Sequence, residues 1–179
     1  MVEHKLYKFH SIEQFRHQRK ALKDFIYFNG LVDDEPTFDY TRTLPTVAVN
    51  CTEKIHGTYA GVVYADNQLY AQSRNKVLAI GDDNAGFALF VEQHNTLLTN
   101  ICAVLKSVHN LSDSDVIVLS GEWAGGSIQK NSALSGVDKK FLIFPQFRVV
   151  HADESVSTLP ISELHLSSDS IYSLANFPE

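Results

Sequence analysis

The segment from residue 52 to residue 61 combines residue types that can carry out chemistry at a turn. It reads Thr-Glu-Lys-Ile-His-Gly-Thr-Tyr-Ala-Gly, with Lys54 three residues before Gly57 and His56 between them. A lysine amine can act as a nucleophile, and a glycine permits a tight turn or a close approach of the backbone to a ligand. A lysine at this spacing also fits a plain surface charge, so the segment alone leaves both interpretations open.

A second segment, residues 120–131, has an unusual composition for a loop. It contains the carboxylate of Glu122, the single tryptophan of the chain at position 123, three glycines and Lys130. A β-branched run precedes it, so Glu122 is predicted at the end of a strand. Taken alone, this segment also fits an ordinary exit from a strand into a loop.

Together these segments resemble motifs of the covalent nucleotidyltransferases, the superfamily of DNA ligases, RNA ligases and capping enzymes. Lys-Ile-His-Gly-Thr at 54–58 is similar to the motif whose lysine accepts the nucleotide. Gly-Glu-Trp-Ala-Gly at 121–125, with Ile-Gln-Lys-Asn at 128–131, is similar to the third motif. Between them, Tyr-Ala-Gln-Ser-Arg-Asn-Lys at 70–76 resembles the arginine-bearing motif, and Phe-Leu-Ile-Phe at 141–144 resembles the aromatic strand that follows the third motif.

A histidine between the lysine and the glycine of this motif, as His56 is here, resembles the motif of the phage T4 RNA ligase 2-type branch and of its editing-ligase relatives. Residues 7–15 are also similar to the N-terminus of phage-type members, so the resemblance covers residues 7–149. Because the motifs occur in the expected order, the resemblance rests on their combination rather than on any one of them.

The resemblance implies an ATP-dependent RNA ligase that uses Mg²⁺. Lys54 would attack the α-phosphorus of ATP, release pyrophosphate and carry AMP on its side-chain nitrogen. The AMP would pass to a 5′-phosphate of RNA, and a 3′-hydroxyl would then displace it. The implied partners are therefore the ends of nicked or broken RNA, in a repair reaction; the metal ligands stay unassigned.

The resemblance also assigns residues to the adenine. The backbone of Glu53 and of Ile55 would approach the base. Phe144 is predicted to stack on adenine, with Phe141 as the alternative, since any aromatic residue of a strand can simply belong to the core.

Three further residues are assigned to the phosphates and the ribose. Arg74 would contact the α-phosphate or the ribose through its fixed fork of donors. Glu122 would accept hydrogen bonds from the ribose hydroxyls. His56 would either orient a phosphate or hold the turn.

The chain departs from the family pattern in several places. Tyr59 stands where many relatives carry asparagine, and Pro145-Gln146 stands where relatives often have an acidic residue. No Glu-Gly pair follows Glu122, and no lysine follows Lys140, although the superfamily uses both. We therefore expect residues 1–179 to form a single, truncated adenylyltransferase domain in which Lys54 is poorly activated. Two explanations stay open: a shortened product of one gene, or half of a split enzyme whose missing motifs are on a second polypeptide.

Two other functions stay open at this point. The first is a nucleotide- or RNA-binding remnant without chemistry, which adenylate labelling would distinguish from a ligase. The second is a DNA ligase or a guanylyl-transferring capping enzyme, which the choice between ATP and GTP would identify.

Composition limits the class of protein. The chain has 15 lysine and arginine residues and 21 aspartate and glutamate residues, so its net charge is −6. This charge excludes a histone-like nucleic-acid binder but permits a local basic groove. No apolar run is long enough for a membrane span, and no signal-peptide core follows Met1. Cys51 and Cys102 alone form neither a disulfide framework nor a zinc site, and we expect buried thiols in a cytoplasmic protein, within the host cytoplasm if phage-encoded.

The elements that must position these motifs are predicted from periodicity and turn signals. Two long helices are expected: residues 11–28, capped by Ser11 and with one apolar face, and residues 84–110. Residues 31–45 are expected to be a loop with an acidic turn. The predicted strands are 46–51, 59–64, 68–73, 115–120 and 141–150, the last broken at Pro145. Residues 65–67, Ala-Asp-Asn, are predicted to form a hairpin turn between the second and third of these strands.

Residues 151–179 show no convincing pattern. Because strands and helices do not alternate regularly, we predict an α+β nucleotidyltransferase-like domain with an antiparallel sheet.

Overall fold

A computed structural model describes residues 4–9, 14–48, 54–161 and 170–174. The chain divides into two compact units: one contains Met1–Phe9 and Lys54–Glu179, and the other contains His10–Glu53. Ser11, Cys51 and Glu53 lie outside the described residues.

The larger unit is built on a seven-stranded sheet, which confirms the predicted α+β class. The strands pair in the order β4-β3-β5-β6-β9, while β7 pairs with both β5 and β8. All pairs are antiparallel except β6–β9, which is parallel. The strands are β3 Thr58–Ala65, β4 Gln68–Gln72, β5 Val116–Ala124, β6 Lys140–Ile143, β7 Gln146–Val150, β8 Val156–Pro160 and β9 Ile171–Ser173.

The β3–β4 hairpin confirms the predicted turn. Asp66 and Asn67 both have positive φ, at 49° and 60°, which is the backbone that a two-residue hairpin turn requires.

Pro145 breaks the predicted strand 141–150 as expected, because proline has no N–H to donate to a ladder. The two pieces, β6 and β7, lie along the same edge of β5 one after the other.

The core lies on one face of this sheet. Helices α2 (Phe87–Gln93) and α3 (Asn95–Val108) cover that face with buried apolar residues that recur every three or four positions. The prediction of a single helix over 84–110 is wrong. The observed helical segment begins at Phe87 and is interrupted at His94. The ring of His94 lies against Phe90 and its Nδ1 lies 2.9 Å from the Phe90 carbonyl oxygen.

The smaller unit consists of helix α1 (Phe15–Tyr27) and a hairpin of β1 (Phe28–Val32) and β2 (Glu35–Phe38). The predicted loop over 31–45 is therefore partly a hairpin, with the acidic turn at Asp33 and Asp34. The helix begins at Phe15 rather than at Ser11, and Gln14 precedes it without a side-chain cap. No residue of α1 is buried, so the predicted apolar packing face is wrong.

Two further predictions differ from the structure. Residues 46–48 form no strand, and the rest of the predicted strand 46–51 lies outside the described residues. The C-terminal region does contain strands, β8 and β9, which the weak pattern after residue 150 did not indicate. All five residues of β8 pair with β7. This strand therefore depends on a tertiary contact, which the sequence of β8 alone does not indicate.

Candidate functional site

The turn that carries Lys54 packs directly against the end of β5. Gly57 explains this approach: a Cβ at that position would lie 2.6 Å from the backbone oxygen of Trp123 and 3.1 Å from Oε2 of Glu122. Only glycine avoids such a contact, so the Lys-x-x-Gly spacing has a steric reason in this fold. Lys54 itself is exposed and lies four residues before Thr58, the first residue of β3.

Glu122 lies on the face of the sheet opposite to the helices. It is half-buried and pairs across the ladder with Tyr59 on β3 and Leu142 on β6. Burial raises the pKa of Glu122, whereas the nearby side chains of Lys54 and His56 act in the opposite direction. The structure thus brings Lys54 and His56 of the first motif into electrostatic interaction with the carboxylate of the third.

A polar cavity of about 420 Å³ opens beside this turn. Arg74 lines it from the turn after β4, together with Gly57, Thr58, Tyr59 and Asn84. Its volume lies within the range of ligand pockets, roughly 300–1,000 Å³. The arginine-bearing motif and the lysine motif therefore share one cavity.

Asn84 and Gln129 connect these segments, although the sequence did not single out their roles. Asn84 Nδ2 donates to Thr58 Oγ1 at 3.1 Å, and Gln129 Nε2 donates to the Gly57 carbonyl at 3.3 Å. Because the sequence predicted a helix that begins at residue 84, the contact of Asn84 with Thr58 was not predicted. The Gln-Lys-Asn extension of the third motif was the available signal for the second.

Phe144 and Phe141 occupy different environments. Phe141 is fully buried and its ring centroid lies 5.0 Å from that of Phe87, so it belongs to the core. Phe144 is half-buried beyond the end of β6 and lies 5.6 Å from Phe9, whose ring is 5.0 Å from Tyr59. Phe144 is therefore part of an aromatic cluster with Phe9 and Tyr59, and the sequence did not predict the two other members.

The N-terminal segment holds Phe9 in this cluster. The Tyr7 N–H donates to Gln72 Oε1 at 3.0 Å, and Gln72 Nε2 donates back to the Tyr7 carbonyl at 2.8 Å. The Tyr70 hydroxyl donates to the Lys5 carbonyl at 2.8 Å. Residues 4–9 are thereby fixed to β4 on the face that carries Glu122.

The predicted residues are therefore placed as follows. Lys54, His56 and Glu122 come together, Arg74 shares the cavity with the turn, and Ile55 is half-buried beside Lys54. Glu53 lies outside the described residues, and the contacts of Phe144 reach this turn only through Phe9 and Tyr59.

The described ranges contain no group of three or more His, Cys, Asp or Glu side chains that could hold a metal ion. The described side chains therefore do not form a protein cage for Mg²⁺. Among the helices that the structure describes, none has the length and apolar character to cross a bilayer.

Comparison with known proteins identifies the family of the chain. No curated protein matches the chain. The family model described as RNA ligase matches residues 47–171, which is more than two thirds of the chain and includes the lysine turn, the arginine turn, Glu122 and both aromatic residues. This chain belongs to the RNA ligase family.

Proposed function

We propose that this protein is an ATP-dependent RNA ligase of the T4 RNA ligase 2-type branch in which Lys54 becomes covalently linked to AMP. Family membership implies RNA substrates and the use of ATP in general terms. The branch, the covalent intermediate and the residue roles are our proposal. A cytoplasmic location and a role in RNA repair are predictions from the sequence.

One observation carries the proposal: the close packing of Gly57 on the end of β5. Because a Cβ at Gly57 would lie within 3.1 Å of the Glu122 carboxylate, the turn is held against the strand that presents Glu122. The turn that carries Lys54 is thus packed against the end of β5, and the Lys54 side chain interacts electrostatically with the Glu122 carboxylate. Such placement provides the orientation that a nucleotidyl transfer needs.

The first step would use Lys54 as a neutral amine. Its nitrogen lone pair attacks the α-phosphorus, a P–N bond forms, the bond to the β-phosphate oxygen breaks, and pyrophosphate leaves. The amine loses its extra proton to solvent. Arg74, which lines the cavity beside the turn, would stabilise the charge on the α-phosphate through its guanidinium.

The next two steps would transfer AMP and join the RNA. A 5′-phosphate oxygen attacks the α-phosphorus, the P–N bond breaks, and the Lys54 amine is released. A 3′-hydroxyl then attacks the 5′-phosphorus, loses its proton, and displaces AMP. Glu122 would hold the ribose hydroxyls throughout as a hydrogen-bond acceptor, and the half-buried ring of Phe144 would stack on adenine.

Labelling of the chain with ATP tests the proposal. The purified chain is incubated with α-labelled ATP and magnesium, and the adduct is mapped by mass spectrometry, with Lys130→Ala as the control for a lysine of the third motif. We expect label on Lys54 that Lys54→Ala abolishes and Lys130→Ala retains. Label on another lysine in Lys54→Ala would contradict the proposal.

Two outcomes of the same experiment identify the alternatives. Labelling by GTP in preference to ATP would indicate a capping-type transferase. Binding of ATP without any adduct would indicate a nucleotide-binding protein without chemistry.

A further inference from the structure

Four positive side chains of helix α1 occur at positions that share one face. Arg16, Arg19, Lys20 and Lys23 are spaced by three, four and seven residues from the first, which is the repeat of one helical face. We call these four residues the basic face of α1. It extends over roughly 10 Å of helix, at 1.5 Å per residue.

The charge of this face contrasts with the rest of the chain. The whole protein has a net charge of −6, whereas α1 contains four cations and a single acid, Asp24. Of the seven acids in residues 10–53, three are consecutive at the hairpin turn: Asp33, Asp34 and Glu35. Such segregation creates a local positive potential that a net charge does not reveal.

The basic face is not used to hold its own unit together. Arg16, Arg19 and Lys20 are exposed, and no ion pair joins any of the four cations to another described residue. Lys23 is half-buried, with its ammonium 6.0 Å from the centre of the Tyr27 ring.

Arg42, unlike the residues of the basic face, does hold the smaller unit together. Its guanidinium donates to the carbonyl oxygens of Ile26 and Phe28 at 3.0 and 2.9 Å and pairs with Asp39 at 3.5 Å. The structural arginine of the unit is therefore Arg42, and the charges of α1 remain available for a polyanion.

Aromatic side chains accompany the basic face. Phe15 is 69% exposed and lies one turn before Arg19 on the helix, while Tyr27 lies one turn after Lys23. Single-stranded nucleic acid is bound by cations that follow the backbone and by aromatic rings on which unpaired bases stack, whereas the bases of a duplex are not available for stacking. This combination favours a single strand.

We propose that the basic face of α1 binds the phosphate backbone of single-stranded RNA, as a docking surface distinct from the adenylylation site at Lys54. The inference rests on the proposed function, because the ligase reaction supplies RNA as the polyanion. Its chemistry is charge complementarity: guanidinium and ammonium groups on one helical face meet consecutive phosphates and release their counterions.

A pair of charge-matched double variants tests this proposal. Arg16→Gln with Lys20→Gln removes two charges from the basic face, and Lys5→Gln with Lys8→Gln removes two exposed charges from the other unit. Glutamine has a helix propensity close to that of lysine and arginine, so α1 should persist, which circular dichroism checks. Binding is measured by fluorescence anisotropy with a labelled single-stranded RNA that lacks a 5′-phosphate, over a series of salt concentrations.

The helix variant should weaken RNA binding roughly 10- to 30-fold at 0.1 M salt and reduce the slope of log K against log salt by about 1.4, since each lost phosphate contact removes about 0.7. The control variant should stay within about twofold of the unmodified protein, because it keeps all four charges of the basic face. Equal losses in the two variants, or no loss in the helix variant, would overturn the proposal.

Two further measurements complete the test. Labelling of Lys54 by ATP requires no RNA, so the helix variant should label at the normal rate; if the unmodified protein does not label, the proposed function fails while the binding comparison still decides the docking surface. Duplex RNA that competes as well as the single strand would contradict the choice of a single strand. If the helix variant loses binding to vesicles of phosphatidylserine and phosphatidylcholine but not to RNA, the surface is a membrane site and the proposal is wrong.

Discussion

Tyr59 lies directly opposite Glu122 in the antiparallel pair of β3 and β5. Its hydroxyl is 3.0 Å from the Ser120 hydroxyl oxygen, and its ring contacts Phe9. The phenol therefore occupies the position where the resemblance led us to expect asparagine, and it extends an apolar surface beside the half-buried carboxylate. That surface contributes to the environment in which Glu122 would hold a ribose.

Gly57→Ala should disrupt the candidate site by a steric effect. The new Cβ would meet the Trp123 backbone oxygen at 2.6 Å, and a backbone atom cannot move aside as a side-chain end can. We expect a loss of about 1–3 kcal/mol in the free energy of unfolding and little labelling of Lys54. Chemical denaturation and the labelling assay measure the two effects.

Gly61→Ala provides the matched control on the same strand. The nearest atoms to its Cβ would belong to the side chains of Gln72 and Tyr59, at 3.0–3.2 Å, so the contacts are longer than the 2.6 Å at Gly57 and involve no backbone atom. It should therefore be less destabilising than Gly57→Ala. Equal effects of the two substitutions would show that the contact with Trp123 has no special role.

Replacement of Glu122 by glutamine should separate stability from function. Because burial raises the pKa of Glu122, its charged form is disfavoured in the folded protein, and this cost appears as the pH rises above the ordinary glutamate value of about 4.3. Glu122→Gln should thus be as stable as the unmodified protein or more stable at pH 7, and its advantage should shrink toward pH 4. Labelling of Lys54 should nevertheless fall.

Thermal unfolding between pH 4 and pH 7 and the ATP-labelling rate check this prediction. Glu92→Gln on the exposed side of α2 makes the same change of charge and should alter neither quantity. A Glu122→Gln variant that is clearly less stable at pH 7, and no less active, would contradict the assigned role.

How much of this could be predicted from the sequence depends on whether a contact is local. The β3–β4 turn and the break at Pro145 are local, and both were predicted. The interruption at His94 was missed because α2 and α3 contribute to the same core, so Phe90 and Leu98 keep one apolar period across the junction. The motifs predicted which residues meet, but not the tight contact at Gly57, since that distance depends on where β5 lies.

Phe144→Leu and Phe141→Leu should affect different properties, the first ATP binding and the second the stability of the fold. Phe144 is half-buried in the aromatic cluster, so its loss should weaken ATP binding roughly 5- to 150-fold, which corresponds to about 1–3 kcal/mol for one stacked base. Phe141 is fully buried beside Phe87, so its loss should mainly lower the free energy of unfolding. Calorimetric titration with ATP and denaturant unfolding measure the two quantities, and the reverse pattern would transfer the adenine contact to Phe141.

Asp115→Asn should destabilise the protein at neutral pH. His151 Nδ1 donates to Asp115 Oδ1 at 3.0 Å, and the Ser112 N–H donates to Oδ2 at 2.8 Å. Burial alone would raise the pKa of Asp115, but these hydrogen bonds outweigh it and hold the pKa below its usual range. A lowered pKa contributes stability that is present above the ordinary value of about 3.9 and is lost as the pH falls through the folded-state pKa.

We expect Asp115→Asn to lose about 1–3 kcal/mol at pH 7, the usual cost of an impaired buried charge-assisted bond, and to approach the unmodified protein below pH 3. Asp113→Asn, an exposed neighbour with the same change of charge, is the control and should have little effect. Denaturant titrations at pH 7 and pH 3 decide the matter; a deficit of the same size at both pH values would exclude an effect of the charge.

The chain by itself should seal nicked duplex RNA only very slowly, even if Lys54 accepts AMP. In relatives, later lysines and a Glu-Gly motif support the phosphates, and no lysine follows Lys140 and no Glu-Gly pair follows Glu122 here. Three nearby cations could have substituted, but each is already engaged: Arg148 with the Lys8 carbonyl, Lys139 with the Ala85 carbonyl at 2.8 Å, and Lys140 with the Tyr172 hydroxyl at 3.4 Å. Loss of a preorganised donor typically costs 10²–10³-fold in rate, and here several are lost together. Multiple turnover in a gel-based sealing assay with ATP and magnesium, without a second polypeptide, would contradict this prediction, whereas labelling of Lys54 without sealing is the expected result.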